Sequence, residues 1–383
     1  MNAKWTLRLG TVVLVAMMYT AALWPFEFIP VCVNPKVRWL PDESAVQIAP
    51  CRTLSTPMPP ASLGRHFQSS SGISVEVDLK TATADQSGPA RIVTYSFNTR
   101  YRNFTLGQQK DALVFRLRTT DTDPNGTDPV LEVPSVFEPG TRRHLVVTYD
   151  GKVQHLYLDG RRIHTSRKLH GDFSNWNSRH FFVLGDELTG NRPWRGILYS
   201  VSLYDHALSE AQVQERFNAV RLTSLDFGSS DPFMITVSDP HPQEPGLVGR
   251  FIFAQNTGSR VPDQSPSRLV GDLTTARFQS PLKEIFLNDF TVVFSRKDMV
   301  VNILGFIPLG ILIALNFSAP RRPAWLKIYL VPILFGFGVS FSFEFLQQFT
   351  YSRNPNVLDI LYNVGGAALG SIAIHVREKI GKR

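Results

Sequence analysis

The sequence predicts a multi-domain chain: four membrane-crossing helices, with an all-β sandwich inserted after the first of them. Three observations predict this. One long apolar run stands near the N-terminus and three more follow residue 298. Between them, short stretches alternate apolar and polar residues with the period of two that a half-buried strand requires. The formal net charge is +8, and much of the basic excess lies in short segments beside the apolar runs. That placement is a membrane-orientation signal and not a nucleic-acid footprint, so no nucleic-acid partner is expected.

The first run, Leu9 to Leu23, follows Lys4 and Arg8 and leads into Trp24, Phe26 and Phe28, an aromatic interfacial belt. No clear small-x-small site follows, which favours an uncleaved anchor over a signal peptide. Met299 to Phe317 is apolar apart from Asn302 and Asn316. Leu326 to Phe349 is long enough to cross with tilt. Val357 to Val376 carries Gly365-Gly366-x-x-x-Gly370, a face that allows close helix packing.

Charge then orients the spans. Lys4 and Arg8 precede the first, and Arg321, Arg322 and Lys327 separate the second and third. Arg377, Lys379, Lys382 and Arg383 follow the fourth. In a four-span bundle all three sets fall on one side, which the positive-inside rule makes cytoplasmic. Both termini are then cytoplasmic and residues 30–294 extracytoplasmic. The expected divisions are a first span over 1–29, a linker over 30–64, and the sandwich over 65–280. A juxtamembrane linker over 281–297, three spans over 298–377 and a tail over 378–383 complete the chain. Cys32 and Cys51, its two cysteines, flank a Pro-rich segment outside. They read as a disulfide closing a short loop or as two free thiols.

Within the insert, Ser74 to Lys80 alternates as a strand, and Leu113, Phe115 and Leu117 repeat the pattern. His144 to Arg162 predicts a three-stranded meander, turning at Asp150-Gly151 and Asp159-Gly160. Ile197, Tyr199, Val201 and Leu203 form another alternating face. Ser209 starts a short helix, with Gln212 in the capping-box position. Asp121, Asp123, Asn125 and Glu132, with Gly126, fit the spacing of a calcium loop. A strand precedes that loop and Pro124 and Pro129 interrupt it, so a polar hairpin loop is the preferred reading. The nine histidines form no metal-binding spacing, and no cofactor is expected. Arg161, Arg162, Arg167 and Lys168 read as a solvated edge.

The C-terminal spans hold the strongest functional signal. Asp298 and Asn302 open the second span, Glu344 and Gln347 lie near the end of the third, and Asp359 and Asn363 start the fourth. Spacings of three or four put each pair on one helix face. With the topology above, all six and Arg353 gather at the outer end of the bundle. Ionisable groups in membrane helices are costly and read as functional by default. Burial and like-charge proximity there suit one carboxyl to proton transfer, with Arg353 as an anion partner.

Two resemblances follow from these residues. Thr141 to Gly151, Leu156 to Gly160, Trp194 to Ile197 and Leu203 to Ser209 resemble the LamG-like, concanavalin A-like jelly-roll domains over roughly 150 residues. Leu23-Trp-Pro-Phe26, Asp298-x-x-x-Asn302, Phe306 to Gly310, Glu344 to Gln347, Arg353 and Asp359-x-x-x-Asn363 resemble the VanZ-like membrane proteins. The second resemblance implies a bacterial cytoplasmic-membrane protein of the cell envelope, linked with low-level teicoplanin resistance. On it rests one expectation: the jelly roll binds glycan while the polar cluster binds or modifies a lipid-linked or amphiphilic saccharide. Asp298, Glu344 and Asp359 are then the candidate catalytic groups, and Asn302, Gln347, Arg353 and Asn363 the binding groups. The alternative is a non-enzymatic glycan-binding or adhesion protein, anchored in membrane lipid by a structural polar lock.

Overall fold

The computed structural model describes residues 3–26, 28, 37–86, 88–225, 244–255, 258–275, 296–317, 329–350 and 355–380. The chain divides into two compact units, Met1–Ile29 with Ser280–Arg383, and Pro30–Gln279.

The second unit is a sandwich of two eight-stranded antiparallel sheets. In spatial order the first contains β1 (Arg38–Leu40), β2 (Ala45–Ile48), β13 (Gly196–Tyr204), β4 (Ile73–Thr81), β9 (Arg142–Tyr149), β10 (Gln154–Leu158) and β11 (Arg161–Ser166). Its eighth strand, β14 (Leu247–Ile252), shares one edge of β13 with β2: β2 takes Gly196–Leu198 and β14 takes Ser200–Tyr204. The second sheet runs β15 (Arg260–Val261), β16 (Leu273–Thr275), β3 (Leu54–Ser55), β12 (Phe181–Leu184), β5 (Ala90–Ser96), β6 (Arg102–Gln109), β7 (Ala112–Leu117) and β8 (Leu131–Val133).

Alternation builds the core. Ile73, Val75, Val77 and Leu79 of β4 enter it, as do Leu113, Phe115 and Leu117 of β7. At one end Phe67, Phe173 and Trp176 cluster, with ring centroids 4.7–4.8 Å from Trp176. Each such buried side chain contributes about 1.5–3 kcal/mol through area removed from water. The meander turns where expected: Gly151, Asp159 and Gly160 all have positive φ. The capping box is reciprocal. The Gln212 N–H donates to Ser209 Oγ at 3.3 Å and the Ser209 N–H to Gln212 Oε1 at 2.8 Å. The helix that follows runs from Glu210 to Leu225, longer than expected.

The expected linker 30–64 is not a linker where it is described. Residues 38–55 supply β1, β2 and β3, and Ala61–Gln68 forms α2. Strands of two to four residues carry no periodic run long enough to stand out between prolines.

The first unit is helical: α1 (Ala3–Leu23), α4 (Arg296–Asn316), α5 (Val331–Gln347) and α6 (Val357–Ile380), with the capped sandwich helix counted as α3. Lys4–Leu23, Arg296–Asn316 and Val357–Ile380 are long and apolar enough to cross a membrane. Helix α5 has 17 described residues, and the start of its expected span, from Leu326 to Lys327 and Ile328, lies outside the described residues.

Packing fixes the helix directions within this unit. A Cβ on Gly366 would lie 2.2 Å from the Ile303 carbonyl oxygen, and one on Gly370 would lie 2.1 Å from that of Ile307. Both numbers advance by four together, so α4 and α6 run parallel with backbones in direct contact. Gly365 faces open space, so the close face is Gly366-x-x-x-Gly370 alone. Helix α1 packs on α4, where Asn316 Nδ2 donates to Thr11 Oγ1 at 2.9 Å.

Candidate functional site: a polar seam in the helical unit

Ser340, Glu344 and Gln348 recur every four residues and therefore share one face of α5. All three are buried, with exposures of 0%, 3% and 0%. Helix α6 meets this stripe running the opposite way. Asn363 Nδ2 donates to Ser340 Oγ at 2.9 Å. The Asn356 N–H donates to Glu344 Oε2 at 2.6 Å. Asn356 also caps α6, its Oδ1 accepting the Leu358 N–H at 3.1 Å. The residue that starts α6 thus holds the carboxylate of α5.

Two buried side chains on this seam are left with unused polar atoms. Neither Nε2 nor Oε1 of Gln348 has a hydrogen-bond partner, and Asn363 Oδ1 has none. An unsatisfied buried polar group costs about 1–3 kcal/mol.

The expected pairs distribute unevenly. The N-terminal ends of parallel α4 and α6 and the C-terminal end of antiparallel α5 coincide, so the six described candidates occupy one end of the bundle. Glu344 and Asn363 are buried there. Asn302 and Asp359 are half-buried, whereas Asp298 is exposed in the first turn of α4. Acidic groups in first turns suit the positive end of a helix dipole. Gln347 faces elsewhere: its Nε2 donates to the Ala22 carbonyl of α1 at 3.0 Å. Arg353 lies outside the described residues. Sequence reasoning paired Glu344 with the residue three on; the one four on, Gln348, lines the seam. Ser340 and Asn356 were also missed, although counting back by four from Glu344 reaches Ser340.

Two family models match the sequence. The concanavalin A-like lectin/glucanases superfamily matches residues 58–214, and VanZ/LLP1 matches residues 248–378. The chain carries a concanavalin A-like domain and a VanZ-like domain. The VanZ-like match contains the seam and spans α4 to α6; α1 precedes it, and the match reaches back through β16 and β15 into β14. No curated protein matches the chain.

Solved structures resemble it distantly. A putative carbohydrate binding protein from Bacteroides ovatus is 15% identical, with 60% of this chain and 57% of that one covered and a TM-score of 0.35. The CBM40 of the Ruminococcus gnavus IT-sialidase, bound to α2,3 sialyllactose, is 14% identical, with 45% and 96% covered and a TM-score of 0.36. A Botulinum neurotoxin DC binding domain, in complex with rat synaptotagmin II, is 10% identical, with 49% and 45% covered and a TM-score of 0.36. The chain spans about half the length of the first structures it matches.

In the concanavalin A-like domain the calcium-spaced residues serve their own loop. Asp123 Oδ1 accepts the N–H groups of Asn125 at 3.1 Å and Thr127 at 2.9 Å. Gly126 takes a φ of 60°, as a sharp turn requires. Glu132 is exposed on β8, and Asp121 is exposed as well. Among the described residues no group of three His, Cys, Asp or Glu is placed to hold a metal. Cys51 is disulfide-bonded, and Cys32, the only other cysteine in the sequence, lies outside the described residues.

The outer face of the first sheet carries a charged lock under α3. Glu76 accepts from His144 Nε2 at 2.8 Å and from Arg216 Nε at 2.8 Å. Burial alone would push the Glu76 carboxyl up; the Arg216 and His144 charges overcome it and hold it well below the usual carboxylate range. Arg216 also pairs with Glu244, which accepts from Tyr204 Oη at 2.7 Å.

Proposed function

We propose that this protein acts at the bacterial cell envelope, its concanavalin A-like domain binding glycan outside the cytoplasmic membrane. The VanZ-like seam binds or modifies a lipid-linked or amphiphilic saccharide. Glu344 is the central acid–base or binding group, with Asp298 and Asp359 beside the mouth of the seam. Arg353 is the anion partner, and Asn302, Gln347 and Asn363 orient by their amides. Both termini are cytoplasmic in this reading, and membrane lipid is the second partner.

One observation supports function over mere packing: the unused Gln348 and Asn363 atoms beside the buried Glu344. A lock kept only for stability gains from satisfied or apolar side chains there. Buried amide atoms left open suit a ligand that supplies the missing partners.

The test uses the full chain. Expression in a bacterial host should change teicoplanin susceptibility, and Glu344→Gln and Arg353→Ala should each abolish the change while the protein still reaches the membrane. Full activity in both variants sinks the seam as a site. The anchor-and-adhesin reading predicts instead that these variants fail to fold, while glycan-array binding by the folded wild type persists.

A further inference from the structure

A second concentration of charge lies on the face of the second sheet that points away from the core. Thr94 of β5, Thr105 of β6 and Arg116 of β7 stand in register across three strands. Their neighbours Tyr95, Phe104 and Phe115 point into the core, which puts this row on the opposite face. Arg102, paired with Ser96, reaches along the row and donates from Nη1 to Thr105 Oγ1 at 3.1 Å.

The segment after β12 folds against this face. The Arg91 N–H donates to the Arg192 carbonyl at 2.9 Å. Glu187 enters from the same segment, accepting from Arg91 Nε at 3.2 Å and from Ser96 Oγ. Asp186 accepts the N–H groups of Glu187 at 2.7 Å and Arg192 at 2.8 Å. Arg91, Arg102, Arg116 and Arg192 therefore gather around one ion-paired carboxylate, Glu187. Asp123 and Glu132 are the other charges within reach of Arg116.

The balance is cationic. Asp186, fully buried, is pushed up to about 8 by burial, so at neutral pH it adds little negative charge. Burial first, then neighbouring Arg91, depresses Arg102, Arg116 and Arg192. Among the described residues no carboxylate pairs with Arg102 or Arg116. The Nε atoms of both are buried without a hydrogen-bond partner. Arg102 and Arg91 are wholly buried, while Arg116 is half-buried and connects the group to the surface.

Like charges held together out of water are costly unless something neutralises them. The planar guanidinium fork fits the two oxygens of a carboxylate or phosphate, and buried fork contacts are among the stronger hydrogen bonds. We infer that this face is the anion-recognition site of the sandwich, with Arg116 gripping the acidic group of a charged saccharide and the buried Arg102 adding positive charge behind it. The inference rests on the glycan reading above and narrows its ligand to the acidic class.

Calorimetry on the full chain in detergent tests it. The probes are a glucuronate-terminated disaccharide, the same disaccharide ending in glucose, and inorganic phosphate. The acidic sugar should bind at least tenfold more tightly than the neutral one, and phosphate should compete with it. Arg116→Gln should remove the preference, and Arg116→Lys, which keeps the charge without the fork, should retain part of it; melting curves show that each variant is folded. Equal binding of the two sugars overturns the inference and leaves glycan binding standing. So does an acid preference that survives both variants. If neither sugar binds but phosphate raises the melting temperature of wild type and not of Arg116→Gln, the anion site stands and the glycan reading falls. If phosphate also does nothing, both fall.

Discussion

Gln348 is the residue on which chemistry and stability make opposite predictions. Its amide is buried with no partner, so Gln348→Leu removes an unsatisfied group and should raise the melting temperature of the detergent-solubilised protein. The same substitution should abolish the envelope phenotype if the seam works on a ligand. A stabilised and fully active variant would reduce Gln348 to a packing defect. Asp186 gives a second residue-scale prediction. Its folded-state carboxyl is pushed up to about 8, whereas the unfolded group titrates near 3.8. The folded sandwich thus binds a proton that the unfolded chain has released. The stability this group contributes is complete below about pH 4 and is lost as pH rises to 8. Asp186→Asn keeps an oxygen for the two N–H donors and should melt higher than wild type at pH 8, with the gap closing by pH 4. At this scale the sequence revealed Glu344, because a carboxylate in an apolar run is conspicuous. It concealed Gln348, because two adjacent glutamines differ only in helix phase, and phase is set by the neighbour against which the helix packs. The arginine cluster was also invisible, since Arg91, Arg102, Arg116 and Arg192 come from strands and a turn that only the sheet register brings together.

Among elements, the α4–α6 contact is the most sharply constrained. Any side chain at Gly366 or Gly370 meets a backbone carbonyl, and a helix carbonyl cannot step aside. Gly370→Val should therefore separate the helices and shift the protein to aggregate on size-exclusion chromatography. Gly365→Ala, facing open space, should leave it unchanged. The Gly-Gly-x-x-x-Gly run announced such a face but not which of its first two glycines serves it. Strands were legible in β4, β7 and β13, where apolar and polar residues alternate, but β6 went unread although Asn103 to Gly107 alternate as well. They were illegible in β1, β2 and β3, which have only two to four residues each; β2 and β3 gain their conformation by pairing with β13 and β12, far along the chain.

For the whole molecule, two blocks of unlike composition were readable from hydropathy and charge alone, and family likeness named each. What composition could not convey is how the sandwich is closed. Strand β13 offers one edge to two strands that lie about two hundred residues apart in the chain: β2 holds one half and β14 the other. In the second sheet, too, a late strand joins an early one, with β16 hydrogen-bonded to β3. During synthesis, then, the sandwich waits with an open edge until the ribosome has passed residue 275. A fragment ending at residue 214 should inherit that open edge permanently and self-associate, whereas one spanning 37–275 should elute as a monomer. The order of translation thus gives this domain a long unfinished interval, in which β13 stands ready to pair with any extended strand nearby.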